Sequence, residues 1–210
     1  MSTGTVDGPA RGRGATGNPA GRFETTTREA VDDGWSESAP PPRQVPTRIV
    51  VELARSIIAR NESPDVPFEQ SVNPYQGCEH GCIYCYARPS HAYRNLSPGI
   101  DFETRIFAKS NAAELLRTEI SGRNYRCSPI ALGANTDPYQ PAERQQRITR
   151  AILEVLVECR HPFTITTKGA LIERDLDLIA PAAAQRLARV FVSVPQLDHR
   201  SEERRVGKEC

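Results

Sequence analysis

Three cysteines fall inside the eight residues Cys78-Glu79-His80-Gly81-Cys82-Ile83-Tyr84-Cys85, at the spacing C-x3-C-x2-C. A loop this short bends three sulfurs toward one region. Three thiolates can hold three irons of a 4Fe-4S cluster, and the fourth iron then keeps no protein ligand. That open iron is a place for a small molecule. Gly81 has no Cβ and lets the loop fold tightly around an inorganic core. The same thiols also fit a structural zinc site, with His80, His91 or Cys127 as fourth ligand, although the paired spacing of zinc modules is missing. His80, inside the loop, can hydrogen-bond a cluster and tune its potential. Disulfides are a poorer fit, since nothing marks the chain as secreted.

The pattern C-x3-C-x-(aromatic)-C, with Tyr84 as the aromatic, resembles the signature of the radical S-adenosylmethionine (SAM) superfamily. The words Asn73-Pro74-Tyr75-Gln76-Gly77-Cys78-Glu79-His80, Tyr86-Ala87-Arg88-Pro89 and Asn135-Thr136-Asp137-Pro138-Tyr139-Gln140-Pro141 narrow the resemblance. They are similar to a bacterial branch related to spore photoproduct lyase, over about Arg11 to Asp198. The resemblance implies an α/β fold, a partial (βα)6 radical-SAM-type barrel of which about the first four βα units are present. It implies an enzyme that cleaves S-adenosyl-L-methionine reductively to a 5′-deoxyadenosyl radical, which abstracts hydrogen from a substrate. Cys78, Cys82 and Cys85 become the iron ligands. Tyr84, Thr136, Asp137, Lys168 and Ser193 become the cofactor-binding residues, and a flavodoxin or ferredoxin the one-electron donor. Gly133-Ala134-Asn135-Thr136-Asp137 stands where members of the superfamily carry a Gly-Gly-Glu-like segment. Spore photoproduct lyase returns a hydrogen atom from a cysteine near the end of its second strand. Ala134 holds that place here, so the repair reaction itself is not expected. A nucleic-acid substrate rests on analogy with that branch alone. The competing readings are a zinc-binding or iron–sulfur interaction module without catalysis, and an inert fragment.

Most residues proposed for the cofactor also have ordinary explanations. Asp137 before Pro138 is a common turn opener, Lys168-Gly169 a common loop start, and Ser193 can simply fill a strand. Cys159 falls on the apolar face of a helical stretch and reads as core, while Cys127 sits in a loop. His91, His161 and His199 read as surface or loop residues.

The chain that must position this loop has 210 residues, enough for one domain with a real core. Its net charge of +1 sets up no strong overall field toward nucleic acid or membrane. No apolar run approaches the roughly 18–20 residues of a membrane helix, and no signal peptide is visible. A cytoplasmic location is expected. Residues 1–45 are poor in large apolar side chains and read as a disordered tail. Within it, Arg11-Gly12-Arg13-Gly14 can touch phosphate, Phe23 and Trp35 can dock on the domain, and Ala39-Pro40-Pro41-Pro42 is a stiff spacer. Residues 46–199 form the expected core. The last stretch, 200–210, lacks the apolar stripe of a further helix. It reads as translated sequencing adapter, so the gene is expected to continue, and Cys210 carries no weight.

Inside the core, Val50, Leu53, Ala54, Ile57 and Ile58 recur at helical spacing. Ser71–Tyr75 is expected as a strand into the cysteine loop, and Phe102–Ala108 as extended chain. A helix capped by Asn111, with Glu114 as capping-box partner, should bury Ala112, Leu115, Leu116 and Ile120 and close at Gly122. Then follow a strand at Ile130–Gly133, a helix over Ala142–Arg160, a strand at Phe163–Thr167, a helix over Asp175–Leu187 with Pro181 inside, and a strand at Val190–Val194. Such alternation predicts a parallel sheet with crossover helices. In those sheets sites gather at the carboxyl ends of the strands. The cysteine loop, Gly133–Asp137, Lys168 and Ser193 all fall there.

Overall fold

The computed structural model describes residues 10–23 and 43–194. The strands, in chain order, are β1 (Ala10–Arg11), β2 (Arg43–Gln44), β3 (Arg48–Glu52), β4 (Ile58–Arg60), β5 (Gln70–Val72), β6 (Tyr75–Gln76), β7 (Arg105–Lys109), β8 (Ile130–Leu132), β9 (Phe163–Thr167) and β10 (Ala188–Val192). The α-helices are α1 (Ile100–Thr104), α2 (Ala112–Ile120), α3 (Glu143–Gln146), α4 (Ile148–Glu158) and α5 (Leu176–Ala184). The result is a mixed α/β protein with mixed sheets, and no barrel closes among the described residues.

The main sheet has the order β10-β9-β8-β5-β4. Strands β5, β8, β9 and β10 run parallel, and β4 adds an antiparallel edge. Register places Val72, Leu132 and Ile165 side by side, with Ile130 beside Phe163. These residues are buried with Leu116 of α2, Ile152 and Leu156 of α4, and Ile179 of α5, in one apolar core. Period two in the strands and period 3.6 in the helices meet there, as the sequence predicts. A smaller sheet, β3-β7-β6, carries the chain into the cysteine loop.

Several boundaries differ from the sequence reading. The expected helix over Val50–Ile58 is instead strands β3 and β4. Val50 and Val51 are β-branched, and the segment gains a ladder from β7, Ile49 beside Ile106 and Val50 beside Phe107. Phe102–Ala108 is not extended throughout, since α1 occupies its start before β7 begins at Arg105. The long helix over Ala142–Arg160 is broken at Arg147, which has φ 52°. Helix α4 restarts because the Glu143 carboxylate accepts the Thr149 N–H (2.9 Å) and the Arg150 N–H (3.3 Å) of its first turn. A 3₁₀ turn, Ala170–Asp175, precedes α5, which keeps Pro181 inside it. Asn111 does not cap α2 through its side chain. Its amide bonds the backbone of Ala54 both ways, accepting from N (2.8 Å) and donating to O (2.9 Å).

Candidate cysteine-loop site at the strand carboxyl ends

Gly77 and Gly81 adopt φ of +82° and +62°, conformations that favour glycine, and between them the chain turns Cys78 inward. Cys78 is 6% exposed, while Cys82 and Cys85 are half-buried. Burial, and after it the Asp137 carboxylate, push the Cys78 thiol up; burial also raises Cys85. Cys82 interacts electrostatically with both other thiols, so the three share one neighbourhood. The Lys168 ammonium donates to Cys82 Sγ at 3.4 Å.

The segment after β8 is laced to this loop. Gly133, at φ +84°, sits where a Cβ would lie 2.2 Å from the Thr166 carbonyl of β9. Asn135 N–H donates to Asn73 Oδ1 (2.9 Å), and Thr136 Oγ1 donates to the Tyr75 carbonyl (2.8 Å). Gln140 accepts the Glu79 N–H (3.0 Å) and donates to the Gly77 carbonyl (3.1 Å). Asp137 accepts from Thr167 Oγ1 (2.6 Å), Tyr139 N (2.8 Å) and Lys168 N (2.8 Å), and its carboxylate lies 3.5 Å from His80 Nε2. A single, mostly buried carboxylate thus joins the cysteine loop to the ends of β8 and β9. Tyr75 adds a second tie, its hydroxyl donating to Glu143 ahead of α4.

From the opposite side the loop is gripped by Arg88. Its guanidinium donates to the carbonyls of Cys82 (3.0 Å) and Gly81 (3.1 Å), and to Pro98 and Gly99 (both 3.2 Å). It also pairs with Glu103 at 2.5 Å, a side chain with no exposed surface. Glu103 in turn accepts the backbone N–H groups of Arg13, Gly14 (3.0 Å) and Ala15 (2.8 Å). Residues 12–15, which composition assigns to the tail, are therefore packed against the loop and Glu103. Of the other tail features, Trp35 and the run Ala39–Pro42 lie outside the described residues, as do residues 200–210. Phe23 is exposed, with Arg22 over its ring.

The residues singled out in the sequence are not all brought together. Cys78, Cys82, Cys85, Thr136, Asp137 and Lys168 come together at one rim. Tyr84, 51% exposed, stands out from the loop. Ser193 follows β10, and its N–H donates to the Thr167 carbonyl (2.8 Å) while its side chain is exposed. Cys127 is exposed. Cys159 is exposed too rather than core, because α4 ends at Glu158 and the next residue turns away. His91 and His161 are buried rather than superficial, each with a ring nitrogen on a backbone carbonyl, Arg105 (3.0 Å) and Pro162 (2.9 Å). His199 lies outside the described residues.

Sequence reasoning passed over Arg88, Glu103, Asn73 and Gln140. Three of them stand inside the motif words, where a polar residue beside a cysteine or proline is a signal; Glu103 has no local signal at all. Among the described residues, no three His, Cys, Asp or Glu side chains are grouped to grip one metal ion. No described helix is long and apolar enough to cross a membrane.

No family model matches the sequence, and no solved structure matches it. An uncharacterised protein of Mycobacterium tuberculosis is 44% identical over 152 residues, which is 69% of this chain and 44% of the relative. A Mycobacterium bovis protein, also uncharacterised, gives the same figures. An uncharacterised protein of Methanocaldococcus jannaschii is 32% identical over 108 residues, 51% of this chain and 38% of that one. The chain thus spans less than half the length of the curated relatives it matches.

Proposed function

We propose that this chain is the cluster-binding and cofactor-binding part of a radical SAM enzyme, built on a partial (βα)6 barrel. The observation that carries the reading is the set of three thiols on one glycine-hinged loop at the carboxyl rim of parallel strands. The donor set fits a cluster better than a single ion. A structural zinc needs a fourth ligand, and the paired spacing that supplies it in zinc modules is missing around this loop. A 4Fe-4S cluster spreads three thiolates over three irons.

When bound, the cluster would give one electron to the sulfonium of S-adenosylmethionine and so release a 5′-deoxyadenosyl radical. The chain's own residues do the positioning. Cys78, Cys82 and Cys85 would hold the irons, shedding the protons that burial keeps on Cys78 and Cys85. Lys168 provides a cation beside Cys82, suited to a carboxylate. Thr136 and Asp137 are engaged with Tyr75, Thr167 and the Lys168 backbone, so they fix the rim. Tyr84 is exposed where it can cover a ligand.

Anaerobic reconstitution with iron and sulfide, followed by reduction and EPR, tests the reading. A reduced-cluster signal that shifts on adding S-adenosylmethionine and is lost in Cys82→Ala is expected. A colourless protein with one tightly bound zinc overturns it, as does a cluster signal indifferent to the cofactor.

A further inference from the structure

The cysteine loop is held on its outer side by a segment more than sixty residues upstream, where Arg13 donates to Glu79 and Gly14 lies against Gly81. Glu103 is fully buried, yet it is an anion with no cation on its own helix turn facing it. Its charge is met by Arg88 and by three consecutive N–H groups, those of Arg13, Gly14 and Ala15. Arg13 also reaches forward, donating to the Glu103 carbonyl (3.1 Å), to Thr47 Oγ1 (3.0 Å) and to Glu79 Oε1 (3.4 Å). Glycine is required for the approach. A Cβ on Gly14 would lie 2.0 Å from the Gly81 carbonyl, and one on Gly81 would lie 2.7 Å from the Arg13 Cβ.

We propose that residues 12–15 form a strap that locks the cysteine loop, with Glu103 as the positioning residue that holds strap and loop together. Two backbones pressed together at glycines leave the loop no room to swing outward on that side. The carboxylate prefers this arrangement because opening would strip three N–H donors from a buried charge. The strap thereby sets how often Cys78 is exposed, and this holds whatever the thiols bind.

Thiol alkylation reads this directly in the full, metal-free, reduced chain. A buried cysteine reacts only through local opening, at a rate proportional to the open fraction. Iodoacetamide labelling followed by peptide mass spectrometry gives one rate per cysteine, with exposed Cys127 and Cys159 as internal references. Deleting residues 2–15 should raise the Cys78 rate at least tenfold and leave the Cys127 and Cys159 rates unchanged. Gly14→Ala, which must displace the strap without removing it, should do the same in part, and Glu103→Gln likewise. If the deletion loses its far-UV circular dichroism, the Gly14→Ala rates decide alone. A folded Gly14→Ala protein whose Cys78 reacts at the wild-type rate overturns the proposal.

Discussion

Arg88→Ala should be among the costliest single changes near the cysteine loop. The guanidinium is mostly buried and serves four backbone carbonyls and one buried carboxylate. Breaking a buried ion pair from one side costs about 3–5 kcal/mol. Glu103 keeps its three backbone donors when Arg88 is removed, so its charge is not left bare and the lower end applies, about 3 kcal/mol. For a chain of this size each kcal/mol lowers Tm by about 2–4 °C, so a drop of roughly 6–12 °C is expected. Urea unfolding of the metal-free protein gives the free energy, and a thermal scan gives Tm. In a Glu103→Gln background the same change should cost clearly less, because the pair no longer exists to be broken. A loss below about 1 kcal/mol in the wild-type background would refute the idea that this arginine clamps the loop.

Other changes probe the remaining ties. Gly133→Ala places a Cβ 2.2 Å from the Thr166 carbonyl at φ +84°, and should cost more than about 2 kcal/mol in urea unfolding. Gly17→Ala, with nothing within 4 Å, should stay within about 0.5 kcal/mol and serves as control. Asn111→Ala removes both bonds to Ala54 and should cost about 1–2 kcal/mol, with Asn111→Asp in between because it keeps only the acceptor. Burial lowers the pKa of His91 and of His161, so both rings are harder to protonate in the fold than in the unfolded chain. The unfolded chain binds more protons than the folded one below about pH 6.5, so the stability these rings permit is present above that pH and is lost as pH falls. Tm measured from pH 8 to 5 should decline from about 6.5 downward, and less steeply in His161→Gln.

What the sequence makes legible is governed by the range of the forces involved. The strand Phe163–Thr167 is recovered residue for residue, because its alternation directly reports one buried face. Helices α2 and α4 follow from their apolar stripes in the same way. The segment from Val50 to Ile58 misleads, since its apolar spacing suits a helix while its fate is decided by β7, a strand more than fifty residues away. The break at Arg147 is equally hidden: no glycine marks the left-handed residue, and the carboxylate that caps α4 belongs to α3. At the site, the thiols and their rim were legible because spacing and strand order are local facts. Glu103 was not, since its importance lies in partners 88 to 90 residues upstream and in Arg88, none of which leaves a pattern around it.

Strand β10 has a bearing on how this chain behaves as a substance. Its residues from Arg189 to Val192 are exposed, Phe191 and Val192 among them, and β9 is its only strand neighbour among the described residues. An open edge bearing apolar side chains is a template for pairing with another molecule. Colloidal behaviour, rather than folding stability, will then set the usable concentration range. Turbidity on concentrating should appear well below Tm, and Phe191→Lys should postpone it.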